Sequence, residues 1–178
     1  PKDIVSGDFY WIHNNPYTTS GENETYIAAV DCTGHGVPGA LVSVVGNNGL
    51  NRCVKEFGIH NTCEILDKLS ELVEETFEKS ENELKDGMDI SLLKISHFNN
   101  ESQSLDNKVK IQWSGANNPL WIIKNSVSSS GVENKEIIEI KADKQPVGKY
   151  TERKKFTEHN LVLEKGDKLY LFTDGYAD

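Results

Sequence analysis

The alternation of apolar and polar residues predicts two strands and two helices in the first half of the chain. Residues 3–12 and 24–31 are apolar and β-branched enough for strands, and the polar stretch between them suits a hairpin loop. A helix is predicted over 40–57, where small residues recur every three positions along one face: Ala40, Ser43, Gly46 and Gly49. Residues 62–84 repeat apolar side chains at helical spacing, which predicts an amphipathic helix.

The second half changes to short strands separated by turn signals. The predicted strands are 89–97, 108–114, 119–124, 136–141, 154–163 and 168–173. Two strands, two helices and then a meander are typical of an α+β fold with largely antiparallel sheets.

The length of the chain is that of one domain. It has 178 residues, 37% of them hydrophobic, which is enough for one core on the usual size of roughly 100–200 residues per domain. The first residue is not Met, and the last six follow directly on a strand-like run. We therefore interpret residues 1–178 as a single domain excised from a longer protein.

The net charge and the cysteines limit the partners and the cellular compartment that the sequence predicts. Nineteen basic against 28 acidic side chains give a net charge of −9, which repels phosphate backbones and anionic lipids. Nucleic acid and membrane surfaces are therefore not expected as partners. Three cysteines without a C-x-x-C pair indicate reduced thiols, and no apolar run is long enough for a membrane span. These features predict a cytoplasmic domain.

The predicted second helix carries most of the acidic excess on its polar face. An acidic face of this kind is usually a solvated surface, and a docking site for a basic partner is the alternative.

Three aspartates stand where apolar strands end or are interrupted, each with glycine nearby: Asp8, Asp31 and Asp174. A carboxylate at a strand end is partly desolvated and needs a cation, a helix N-terminus or a metal to compensate. Oxygen ligands are those that hard divalent cations prefer. Together the three residues indicate a site for such cations, and two neighbouring ions can activate water against a phosphoryl group.

Other chemistries are less well supported by the sequence. The loop 34–39 matches the G-x-G-x-x-G nucleotide fingerprint, but Pro38 lies inside it and no βαβ alternation follows. The chain lacks a P-loop, a cysteine followed six residues later by arginine, a D-x-D pair and H-E-x-x-H. Phosphoenzyme routes and zinc hydrolysis therefore have no residues to use.

Five motifs in order resemble one known family. They are Val5–Tyr10, Asp31–Ala40, Trp113–Leu120, Gln145–Gly148 and Phe172–Gly175. Together they resemble the stage II sporulation protein E-type branch of the metal-dependent serine/threonine phosphatases, which are PP2C-like. The resemblance runs through nearly the whole chain.

This resemblance implies a fold and an activity. The fold would be a four-layer αββα sandwich with mainly antiparallel central sheets, cut short here at both ends. The activity would be hydrolysis of phosphoserine or phosphothreonine by metal-activated water, with two Mn²⁺ or Mg²⁺ ions and no phosphoenzyme. The alternative is a noncatalytic PP2C-like module that regulates or docks without turnover.

The resemblance also implies roles for individual residues. Asp31 would bridge both ions, the backbone carbonyl of Cys32 would complete the first site, and Asp174 would bind the second. Asp8 would orient metal-bound waters. Asp178, four residues after Asp174, matches a spacing that supplies a third metal in some members, and a frayed terminal acid is the alternative.

Three further residues have two interpretations each. Asp86 and Asp89 lie near the position of another metal ligand, but we favour a turn residue and a strand-edge residue. His35 suggests a general acid, yet its distance along the chain from Asp31 differs from the eukaryotic pattern. We therefore favour a role in shaping the loop.

The chain departs from the family at its two ends. It stops before a further carboxylate of the second metal site, so weak metal binding and an inactive chain are both compatible with the sequence. Its first strand is cut short, which exposes a sheet edge and offers a route to a homodimer. By family analogy, the partner would be a phosphorylated STAS-type anti-anti-sigma factor in bacterial signal transduction.

Overall fold

The computed structural model describes residues 7–16, 22–34, 36–77, 87–98, 108–127 and 133–173. The elements in chain order are β1 (Phe9–Asn15), β2 (Glu22–Cys32), α1 (Gly36–Lys55), α2 (Thr62–Phe77), β3 (Gly87–Phe98), β4 (Lys108–Ala116), β5 (Leu120–Val127), β6 (Glu133–Ile140), β7 (Val147–Gly148), β8 (His159–Glu164) and β9 (Lys168–Tyr170).

The strands form two sheets. The larger has the order β1-β2-β3-β4-β8, with β7 paired to the start of β3, and the smaller has the order β6-β5-β9. Every pair of neighbouring strands in the two sheets is antiparallel. The predicted fold, α and β elements with mainly antiparallel sheets, is therefore confirmed. The described residues form one helical layer and two sheets.

One core fills the space between the helices and the larger sheet. Alternate residues of β2, among them Tyr26 and Val30, are fully buried and contribute to it together with Leu50 and Leu69 of the helices. At Gly49 the two helices approach so closely that a Cβ atom would lie 2.4 Å from Cδ1 of Leu69. This contact explains the glycine at position 49, whereas at Gly46 a Cβ atom would meet Met88 at 2.8 Å.

A second core lies between the two sheets. Leu93, Ile111 and Trp113 of the larger sheet contribute to it together with Leu120 and Ile122 of the smaller one. The other face of the larger sheet is thus free to hold the helices, and both faces of its central strands are buried.

Several boundaries differ from the sequence prediction, and the starts of α1 and of β8 are two that have a local cause. Helix α1 begins at Gly36 and not at Ala40, because Pro38 falls in the first turn, where a missing N–H costs no helical hydrogen bond. The strand expected over 154–163 begins only at His159. Before it, Gln145 forms two hydrogen bonds with the backbone of Lys154, at 2.8 and 2.9 Å, which replace strand pairing.

The topology also decides against the nucleotide-binding alternative. The strand before the glycine-rich loop pairs antiparallel on both sides, and α1 is followed by another helix. The parallel βαβ unit that the fingerprint requires is therefore not formed.

The acidic face of α2 is partly occupied by the chain itself. Arg153 donates to Glu74 at 3.2 Å and to the carbonyl of Asp67 at 2.7 Å, and the N–H of Phe156 donates to the carboxylate of Asp67 at 3.1 Å.

Within the described residues, no helix is long and apolar enough to cross a membrane.

Candidate metal centre at one end of the larger sheet

Strand register aligns four polar residues across the end of the larger sheet. Asp31 near the end of β2 pairs directly with Asp89 near the start of β3. Phe9 pairs with Val30, so the same register carried one residue further brings Asp8 beside Asp31. Ile90 pairs with Ala116, the last residue of β4, so this register carried one residue further brings Asn117 beside Asp89. We call Asp8, Asp31, Asp89 and Asn117 the polar row.

The polar row faces the smaller sheet. Val30 and Ile90 are buried in the core beneath the helices. Since successive side chains of a strand point to opposite faces, Asp31 and Asp89 point to the other side. The Cβ atoms of residues directly opposite each other lie about 4.5–5.5 Å apart, which brings the two carboxylates into one small space.

This arrangement concentrates negative charge. Like charges directly opposite each other on neighbouring strands destabilise a sheet. The charge also affects the thiol of Cys32. Its pKa is raised to about 12, mainly by burial and further by the carboxylates of Asp31 and Asp8. The facing carboxylates of Asp31 and Asp89 therefore favour binding of a cation.

Two hydrogen bonds fix the outer members of the polar row. The hydroxyl of Thr173 donates to Oδ2 of Asp8 at 2.8 Å, and Nδ2 of Asn117 donates to Oδ1 of Asp89 at 2.7 Å. Thr173 follows the last strand of the smaller sheet, so its bond ties the two sheets together at the site.

The loop after β2 is held against the same end of the sheet. Thr33 forms hydrogen bonds at 3.0 Å with Gly87 through its own N–H and its hydroxyl. A Cβ atom on Gly39 would lie 2.5 Å from the carbonyl oxygen of Gly34, so these two backbones approach as only glycine allows. On the other side, a Cβ atom on Gly7 would lie 3.0 Å from the carbonyl oxygen of Cys32.

The structure brings some of the predicted site residues together. Asp8, Asp31 and the carbonyl of Cys32 belong to one end of the sheet. Asp174 and Asp178 lie outside the described residues, as do Asp86 and His35, so their predicted roles stay predictions.

Asn117 and Thr173 join the site although the sequence did not assign them to it. Asp89 joins it as well, although the sequence favoured a strand-edge residue there over a metal ligand. Asp89 is the third residue of β3 and lies directly opposite Asp31. The signal lies in the pairing register between distant strands, which a single sequence does not contain.

The donor set fits a hard divalent cation in its chemistry, because carboxylate and carbonyl oxygens are the ligands such ions prefer. Over the described ranges, no group of three or more His, Cys, Asp or Glu side chains is close enough together to hold a metal ion. The described residues therefore supply part of an oxygen site.

Several solved structures share this fold. The SiaA-PP2C domain of Pseudomonas aeruginosa superposes with a TM-score of 0.71 at 24% identity, covering 100% of this chain and 59% of that one. The serine/threonine phosphatase PstP/Ppp of Mycobacterium tuberculosis gives 0.56 at 11% identity, covering 98% and 74%. RsbX, solved in complex with magnesium, gives 0.59 at 17%, covering 97% and 68%. At these identities, the likeness shows the PP2C fold.

Sequence comparison gives the family. No curated protein sequence is similar enough to the chain to count as a match. A family model described as stage II sporulation protein E (SpoIIE) matches residues 21–178, which include Asp31, Asp89 and Asn117. The chain therefore belongs to the stage II sporulation protein E family.

Proposed function

We propose that this chain is a metal-dependent protein serine/threonine phosphatase domain that acts in bacterial signalling. The observation that carries the proposal is the alignment of Asp8, Asp31 and Asp89 across three neighbouring strands at the rim of the inter-sheet space. Membership in the stage II sporulation protein E family supports the same reaction.

The proposed metal set follows the sequence interpretation. Asp31 would contact both ions, the carbonyl of Cys32 would complete the first site, Asp174 would belong to the second, and Asp8 would act through water. Asp178 would contribute to a third, weaker site. Mn²⁺ or Mg²⁺ bound there would supply Lewis acidity at the phosphoryl group. The magnesium of the structurally similar RsbX supports this choice of ion.

The residues of the chain itself argue for direct attack by water. The one cysteine at the site, Cys32, has its side chain buried in the core beneath the helices, on the face opposite Asp31, so its thiol is not placed to attack a substrate. Asp8 accepts a hydrogen bond from the hydroxyl of Thr173, which fixes its carboxylate and suits the proposed role in orienting metal-bound water.

The substrate would be a phosphorylated protein, and a STAS-type anti-anti-sigma factor is the partner we propose. The domain would act in the cytoplasm, as one domain of a longer protein. The second candidate function is a noncatalytic docking module of the same fold. The observation that favours it is that, among the described residues, no three acidic side chains are close enough together to hold a metal ion.

The test is Mn²⁺-dependent phosphate release from a phosphoserine peptide and from an aryl phosphate. We expect Asp31→Asn to lower the rate by more than about 100-fold, since losing an outer partner of a metal ligand already costs about 10–100-fold. Glu75→Gln, on the exposed surface of α2, is the matched control and should keep the rate of the unmodified protein.

The two candidate functions give different results. Equal release by the unmodified protein and Asp31→Asn would contradict the phosphatase proposal. No release from either, with partner affinity unchanged by Asp31→Asn, would support the docking module.

A further inference from the structure

We propose that Asn117 is a positioning residue of the metal site, holding the carboxylate of Asp89 beside Asp31 so that Asp89 contributes to cation binding. This inference rests on the proposed function and adds to it two residues, one a carboxylate and one an amide. Its starting point is the 2.7 Å hydrogen bond from Nδ2 of Asn117 to Oδ1 of Asp89.

The backbone of Asn117 is fixed in an unusual conformation. Its φ of 56° makes it the only non-glycine residue with a positive φ in the described parts of the chain. Its N–H donates to the carbonyl of Asp143 at 2.9 Å, and the N–H of Asp143 donates to the carbonyl of Gly115 at 3.0 Å. These two bonds attach the turn to a second segment of the chain.

That second segment is itself held in place. The carboxylate of Asp143 accepts the N–H of Thr157 at 2.7 Å and the hydroxyl of the same residue at 3.0 Å. The bonds of Asp143 thus connect the turn at Asn117 to Thr157, and from this turn the amide of Asn117 reaches Asp89.

An amide side chain suits the position of Asn117 better than a basic side chain would. Asn117 occupies the place in the polar row that follows Asp89, so a basic side chain there would neutralise Asp89 and compete with a metal ion. The amide instead fixes Oδ1 by a hydrogen bond and leaves the negative charge of the row intact. Partners of this kind orient metal ligands in many proteins, and their removal typically costs about 10–100-fold in metal affinity.

A turn residue without any role at the metal is the competing interpretation. Asparagine tolerates the left-handed region better than most residues, so the conformation alone would select it. The two interpretations differ in one respect, because a positioning role acts through Asp89 and a turn role does not.

The experiment is a double-mutant cycle read out by Mn²⁺ binding. The dissociation constant for Mn²⁺ is measured by calorimetry for the unmodified protein, Asn117→Gly, Asp89→Asn and the double variant. Glycine keeps the positive φ without strain and removes the amide. Asn160→Gly is the control, since it removes a similar and likewise exposed 2.8 Å amide-to-carboxylate bond, to Glu158.

We expect Asn117→Gly to raise the dissociation constant about 10-fold, the lower end of the usual range, because the bond is exposed to water. Asp89→Asn should raise it at least as much, and adding Asn117→Gly to Asp89→Asn should change it less than about 2-fold. Asn160→Gly should bind Mn²⁺ as the unmodified protein does. Thermal unfolding without metal confirms that each variant is folded.

Each outcome has one meaning. Unchanged Mn²⁺ affinity in Asn117→Gly, or full additivity in the double variant, would overturn the positioning role while leaving the phosphatase proposal intact. Failure of the unmodified protein to bind Mn²⁺ more tightly than Asp31→Asn would overturn the proposed metal site, and this inference with it.

Discussion

Replacing Tyr26 with phenylalanine should destabilise the protein by about 2 kcal/mol at neutral pH. Tyr26 is fully buried, and its hydroxyl donates to Oε2 of Glu24 at 2.7 Å. Nδ1 of His60 lies 2.8 Å from the same oxygen, and Nζ of Lys94 lies 3.3 Å from Oε1. A hydrogen bond to a buried charged group is worth about 1.5–3 kcal/mol, which sets the expected loss.

The effect should depend on pH in a defined direction. Burial by itself would raise the pKa of Glu24, but the hydrogen bonds from Tyr26 and His60 and the charge of Lys94 outweigh it and hold the pKa below the usual 4.5. A lowered pKa in the folded state adds stability above the usual value, and this stability is lost as pH falls through the folded value. The phenylalanine variant returns the pKa of Glu24 toward its usual range, so its deficit should shrink in acid.

The assay is urea denaturation of the unmodified protein and Tyr26→Phe at about pH 7 and about pH 4. Tyr10→Phe is the matched control, because that side chain is 79% exposed and should change stability by less than about 0.5 kcal/mol. A loss below about 0.5 kcal/mol for Tyr26→Phe, or an equal loss at both pH values, would refute this account of the cluster.

Two further predictions concern packing and thiol reactivity. Gly49→Ala should lower the free energy of unfolding by up to about 2 kcal/mol. The new Cβ would lie 2.4 Å from Cδ1 of Leu69, and the cost of overpacking, about 1–3 kcal/mol, offsets the helix-propensity gain of about 1 kcal/mol. An increase in the urea midpoint would contradict this. Thiol alkylation of the folded protein should modify Cys63 first, because its side chain is half-buried. Cys32 and Cys53 are buried, and the pKa of each thiol is raised to about 12. Peptide mapping that finds Cys32 or Cys53 labelled before Cys63 would contradict this prediction.

The elements of the fold could be read from the sequence because they depend on local patterns. Amphipathic periodicity identified α2, and turn signals separated the strands of the second half. The start of α1 was wrong by four residues because a proline was taken as part of the loop and not of the first helical turn. The two-residue strand β7 was missed, since pairing over two residues leaves no periodic signal.

Only part of the site was predictable from the sequence, because its other residues are brought together by pairing between strands that are far apart in the chain. Asp8 and Asp31 were identified by their position at strand ends beside glycine. The contribution of Asp89 depends on which residue of β3 pairs with Asp31, and that of Asn117 on a turn 28 residues further along. Both follow from strand register, which the hydrophobic cores fix through residues far away in the chain.

Gly87 has a consequence for how the sequence can diverge. A Cβ atom there would lie 2.9 Å from the carbonyl oxygen of Val147, and the backbone of the same residue bonds to Thr33. Three segments remote from one another in the chain thus converge on one residue that has no room for a side chain. We therefore expect a substitution at this position to survive in evolution only when compensating changes arise in two other segments at once.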